Sequence, residues 1–98
     1  MDLVKQVLED IIRIASPCKV ILYSKKEYIG SGTLKSMDFC VVVSDDPQTI
    51  RKQLIMQIDY DIPINFKVYH KEDWDRLMTD TDSHAYLIAG KGLVLYEC

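Results

Sequence analysis

Three consecutive pieces decide how this chain is read: Lys19-Val-Ile-Leu-Tyr23, the polar run from Ser24 to Ser36, and Asp38-Phe-Cys-Val-Val-Val43. Val20 to Tyr23 is short and almost wholly apolar, which predicts a strand covered on both faces. Asp38 to Val43 is β-branched and aromatic, which predicts a second, central strand with one carboxylate at its mouth. Between them, Gly30 and Gly32 mark points of unusual backbone geometry. The connection is long for a plain hairpin, so it is expected to hold a helical turn or a binding loop.

Outward from this stretch the signals are regular. Leu3, Val4, Val7, Leu8, Ile11, Ile12 and Ala15 recur at helical spacing and predict an amphipathic helix from Asp2 to Ala15, with Asp2 as N-cap and Ser16-Pro17 as the stop. Asp45-Asp46-Pro47 predicts a second helix start, Asp46 capping and Pro47 at the first helical position. Ile50, Leu54, Ile55 and Ile58 form its stripe. Ile62 precedes a proline and is pushed out of the helical region. Ile64, Phe66 and Val68 alternate, as a third strand requires. Lys71 to Met78 and Ser83 to Ala89 predict two short helices, the second ended by Gly90. Leu93 to Tyr96 predicts an edge strand or an extended tail. The order helix, strand, loop, strand, helix, strand, two short helices, tail is that of a single α/β domain over residues 1–98.

Composition bounds the function. The net charge of −3 argues against nucleic acid as the main partner, because phosphate neutralisation needs a basic face. Lys25-Lys26 and Lys35 make only a small basic patch, enough for a small anion. No apolar run reaches the roughly 20 residues of a membrane helix, so no membrane association is expected. Met1 to Lys5 lacks the basic start and apolar core of a signal peptide, which points to a cytoplasmic protein. Cys18, Cys40 and Cys98 are odd in number and far apart, which fits neither a disulfide framework nor a paired metal motif.

Taken together, Leu22-Tyr-Ser24-Lys25, Ser36-Met-Asp38-Phe-Cys-Val-Val, Pro63-Ile-Asn65-Phe-Lys-Val-Tyr69 and Gly90-Lys-Gly-Leu-Val-Leu-Tyr96-Glu97 resemble the minimal nucleotidyltransferases of the DNA polymerase beta-like nucleotidyltransferase superfamily. The resemblance covers nearly the full length. It implies a small nucleotidyltransferase-like α/β domain, with a mixed sheet of three to four strands and helices packed mainly on one side. In that family a strand ends in Gly-Ser at a helical turn, a later strand carries Asp-x-Asp, and a third acidic residue follows on another strand. Alternate strand residues share a face, so Asp-x-Asp aims two carboxylates at one spot, where two Mg²⁺ ions hold a nucleoside triphosphate.

Carried onto this chain, the resemblance makes Asp38 the catalytic and metal-binding carboxylate. Ser24, Lys25, Gly30 and Ser36 become the nucleotide-binding positions, and Asn65 the second metal position. The chain departs from the motif: Ser36 stands at the first aspartate, Asn65 at the third carboxylate and Tyr23 at the glycine. Mg²⁺ prefers one or two carboxylates plus phosphates. The implied function is therefore a catalytically degenerate binding or regulatory module, antitoxin-like or partner-binding. The alternative is an active enzyme that transfers a nucleotide from Mg²⁺-bound NTP to a protein or small molecule. Either would pair with a HEPN-type helical protein or with a second copy.

The same residues have plainer readings. Gly30-Ser31-Gly32 reads as a turn rather than a phosphate loop, because no apolar strand leads directly into it. Asp59-Tyr-Asp61 and Asp80-Thr-Asp82 fall at helix ends or in loops, where aspartate caps and turns are common. His70 and His84 lack ligand-type neighbours, and Trp74 at helical spacing with Leu77 and Met78 reads as core or interface rather than as a stacking platform.

Overall fold

The computed structural model describes residues 3–30 and 32–98. Its elements are α1 (Leu3–Ala15), β1 (Lys19–Glu27), β2 (Leu34–Val43), α2 (Pro47–Gln57), β3 (Ile64–His70), α3 (Lys71–Leu77), α4 (His84–Lys91) and β4 (Leu93–Glu97). The expected N-cap Asp2 lies outside the described residues. One four-stranded mixed sheet runs β3-β2-β1-β4. β1 is antiparallel to both β2 and β4, whereas β2 and β3, joined through α2, are parallel.

Strand alternation divides the core into two. Val20, Met37, Phe39, Val41, Val43 and Phe66 face α1 and α2, meeting Val7, Ile11, Ala15, Ile50 and Leu54. Ile21, Cys40 and Val42 face the other way and meet Trp74 of α3 and Ala85 and Ile88 of α4. The two long helices thus share the first face, and the two short ones cover only part of the second. No helix among the described residues is long and apolar enough to cross a membrane.

The helix boundaries follow their caps. Asp46 accepts the Thr49 backbone N–H at 3.2 Å and the Thr49 hydroxyl at 2.6 Å, with Pro47 opening α2 as expected. α1 ends at Ala15, and the next residue, Ser16, takes a left-handed φ of 44° just before Pro17. His70 Nδ1 accepts the Glu72 N–H at 3.2 Å and so caps α3. α4 does not stop at Gly90: it runs through Lys91, and Gly92 is its C-cap. Glycine is needed at 92 on steric grounds. A Cβ on Gly92 would lie 2.2 Å from Ile21 Cγ2 and 2.8 Å from the Ile88 carbonyl oxygen, whereas one on Gly90 would meet nothing.

The expected helical turn or binding loop between the first two strands is replaced by a long hairpin. Ser24 to Glu27 continue β1, and Leu34 to Ser36 begin β2, with Lys25 opposite Met37 and Lys26 opposite Ser36. Tyr28 N–H donates to the Thr33 carbonyl at 2.9 Å near the tip, and Gly30 and Gly32 take φ of 79° and 71°. Backbone pairing, rather than apolar burial, carries this polar segment as strand.

Candidate functional site

The second face of the sheet is apolar beneath α3 and α4 and polar beyond them. There β2 presents Ser36 and Asp38, β3 presents Asn65 and Lys67, and β1 presents Ser24 and Lys26, all on one face by alternation. Asp38 and Asn65 are direct partners across the β2–β3 pair, and Asn65 Nδ2 donates to Asp38 Oδ1 at 2.7 Å. Asp38 is half-buried and Asn65 exposed.

β1 bends at this point. Its register against β2 shifts between Leu22 and Ser24, so Tyr23 is the extra residue of a bulge opposite Asp38. Its ring meets His84 edge-on at 6.3 Å. Burial, followed by the negative charge of Asp38, pushes the Tyr23 hydroxyl up to about 12. Tyr23 stands between two hollows. One, of about 450 Å³, runs along Asn65 to Tyr69 toward Arg51. The other, of about 290 Å³, is lined by Ser24, His84, Leu87, Ile88 and Lys91. Arg51 Nε donates to the Phe66 carbonyl at 3.0 Å, which covers part of the free edge of β3. Cys40 lies deeper on this face; burial pushes its thiol up to about 12, which leaves it a core residue without nucleophilic character at neutral pH.

The structure brings together Asp38, Asn65, Ser24 and Ser36 from the sequence-derived set. It does not bring in Lys25, which alternation turns to the first face and which pairs with Glu27 at 3.5 Å. Gly30 sits at the hairpin tip, six residues beyond Ser24 and on the order of 20 Å away along an extended strand. The strand cations nearest Asp38 on its face are Lys26 and Lys67. Strand parity is the signal for both: Lys67 lies two residues after Asn65, and Lys26 becomes readable once Ser24 is recognised as strand.

The donor set does not fit a pair of magnesium ions. Two Mg²⁺ bring four positive charges, against one carboxylate on a face that already carries two lysines. The partner strand offers the Asp38 carboxylate an N–H donor rather than a second carboxylate. Among the described residues, no three His, Cys, Asp or Glu side chains group as metal ligands. What the patch can do is accept and donate hydrogen bonds around one anion, with hydroxyls, an amide and lysines arranged beside an aromatic ring.

Comparison of the chain with protein-family models, with curated proteins and with solved structures finds no match in any of the three.

Proposed function

We propose that this chain is a catalytically degenerate, nucleotidyltransferase-like domain that works as a binding or regulatory module. The observation that carries the reading is the Asp38–Asn65 contact. The resemblance assigns these two positions, far apart in sequence, to one metal site; they are direct partners on parallel strands and hydrogen-bonded to each other. A carboxylate answered by an amide keeps the frame of such a site and lacks the charge to hold two metal ions. Tyr23, the extra residue of the bulge, stands at the position where the resemblance has a glycine, and its bulk supports the same reading.

The partner-binding half of the proposal draws on exposed apolar side chains: Ile55 and Met56 on α2, and Tyr86 and Leu87 on α4. A helical partner or a second copy in the cytoplasm is the expected counterpart, and light scattering of the purified protein distinguishes self-association from a monomer awaiting a partner.

Calorimetry with ATP and other NTPs, with and without Mg²⁺, tests the catalytic half. The native chain is expected to show no Mg²⁺-dependent binding. Ser36→Asp combined with Asn65→Asp is expected to create it, with Tyr23→Gly added as a third change to open the phosphate approach. Metal-dependent transfer of label from an NTP by the native protein would overturn the proposal in favour of the active enzyme.

A further inference from the structure

We propose that Cys18 and Cys98 form a redox-sensitive pair that closes into an intramolecular disulfide between β1 and β4. Sequence distance hides this pair, and the sheet creates it. Lys19 and Glu97 are partners across the antiparallel β1–β4 ladder, with Lys19 Nζ 3.2 Å from Glu97 Oε2. The next rung outward is Cys18 with Cys98, and the Cys98 N–H donates to the Cys18 carbonyl at 3.1 Å. A direct backbone hydrogen bond between two residues brings their Cα atoms into the range of about 4.4–6.8 Å that a disulfide spans. Both residues line one cavity of about 220 Å³ with Lys19, Glu97, Val42 and Trp74, and Cys18 packs against the cluster that holds Trp74. Cys98 is exposed and Cys18 partly so, which gives an oxidant access, whereas Cys40 is buried. The Cys18 thiol sits 3.4 Å from Ser44 Oγ, a weak contact that closure of the disulfide replaces.

The oxidant is a low-molecular-weight disulfide such as glutathione disulfide. Exposed Cys98 attacks it as thiolate, forming a mixed disulfide and releasing one glutathione thiol. Cys18 then attacks the Cys98 sulfur, forming the Cys18 Sγ–Cys98 Sγ bond and releasing the second. Two electrons and two protons pass from the protein thiols to the two glutathione molecules. The bond pins the edge strand β4 to β1 at the end of the sheet opposite Asp38, so its formation is separable from anything that binds at the Asp38 face.

Incubation of the full chain in glutathione buffers of increasing oxidation, followed by thiol alkylation and peptide mapping, tests the pair. The expected product is a monomer lighter by about 2 Da, with Cys18 and Cys98 linked and Cys40 alkylated only after unfolding. Cys40→Ser is expected to behave identically, and Cys18→Ser to stop at the glutathione adduct on Cys98. Because the bond closes nearly the whole chain, the oxidised form is expected to melt higher by roughly 10 °C, and dithiothreitol to reverse the shift. A glutathione adduct that persists on Cys98 of the native chain overturns the proposal. So does a Cys98-linked dimer as main product at micromolar concentration, or an oxidised monomer that melts below the reduced one.

Discussion

One strand, β2, serves two different surfaces. Met37, Phe39, Val41 and Val43 point to α1 and α2 and are all fully buried, whereas Ser36, Asp38, Cys40 and Val42 point to the other face, where only the last two are buried. The first face is a continuous apolar layer under two long helices. The second is roofed by two short helices over half its length and left open and polar over the rest. A sheet covered on both sides along its whole length leaves room for a site only at its strand ends and loops. This one leaves a strand end uncovered on one face, where Ser24, Ser36, Asp38 and Asn65 gather.

The sharpest way to break this comparison is to cut the same strand on each face. Phe39→Ala removes a ring that is fully buried and stacked on Phe66 at 6.2 Å, and should cost about 3–5 kcal/mol of unfolding free energy. Cys40→Ala, one residue on and pointing the other way, removes a single sulfur and should cost about 1 kcal/mol. Urea titration of both variants checks the ratio. Equal losses would mean that the short-helix face contributes as much packing as the long-helix face.

Gly92→Ala probes where the short-helix face is tightest. The added methyl would press on Ile21 Cγ2 and the Ile88 carbonyl, with backbone on one side and a core side chain on the other. A loss of roughly 2 kcal/mol is expected. Gly90→Ala, inside α4 with open space around it, should be neutral or slightly stabilising in the same thermal melts.

How far these surfaces are legible in the sequence differs in the same way. The α1 stripe, the Asp46 cap and the alternation of Ile64, Phe66 and Val68 are periodic apolar signals, and the structure carries each of them. Ser24 to Glu27 and Leu34 to Ser36 hold few apolar residues, so their strand character comes from cross-strand backbone pairing and leaves no periodic trace. Gly90 and Gly92 are equivalent as helix stops until Ile21 is seen against one of them. No local spacing pairs Asp38 with Asn65, because the register of two parallel strands is fixed by the whole core. The Cys18–Cys98 rung has no local signal at all.

Asn65→Asp sharpens the polar side of the comparison. It sets a second carboxylate directly opposite Asp38 and replaces the 2.7 Å donor with a like charge. About 1 kcal/mol of stability should be lost at neutral pH, recovered on acidification as one of the pair takes a proton. Partial recovery by Mg²⁺ at neutral pH, read as a rise in Tm, would mark the position as a latent metal site. A variant as stable as the native chain, with no response to acid or Mg²⁺, would mean that the two side chains do not face each other.

The smallest effect is expected from Tyr23→Phe, at alkaline pH. Burial and Asp38 hold the Tyr23 hydroxyl near 12, above its ordinary 10, so the folded state resists ionisation that the unfolded chain accepts. Stability linked to this group is therefore complete below pH 10 and declines as pH rises from 10 through 12. Tyr69 and Cys40, also raised by burial, add to the same decline. Phe at position 23 removes one contributor, so the native and variant proteins should differ by a constant amount up to about pH 10 and converge or cross above it. A difference that stays constant to pH 12 would show that the Tyr23 hydroxyl is solvated and that the bulge does not press it against Asp38. The open end of the second face would then begin one residue earlier along β1.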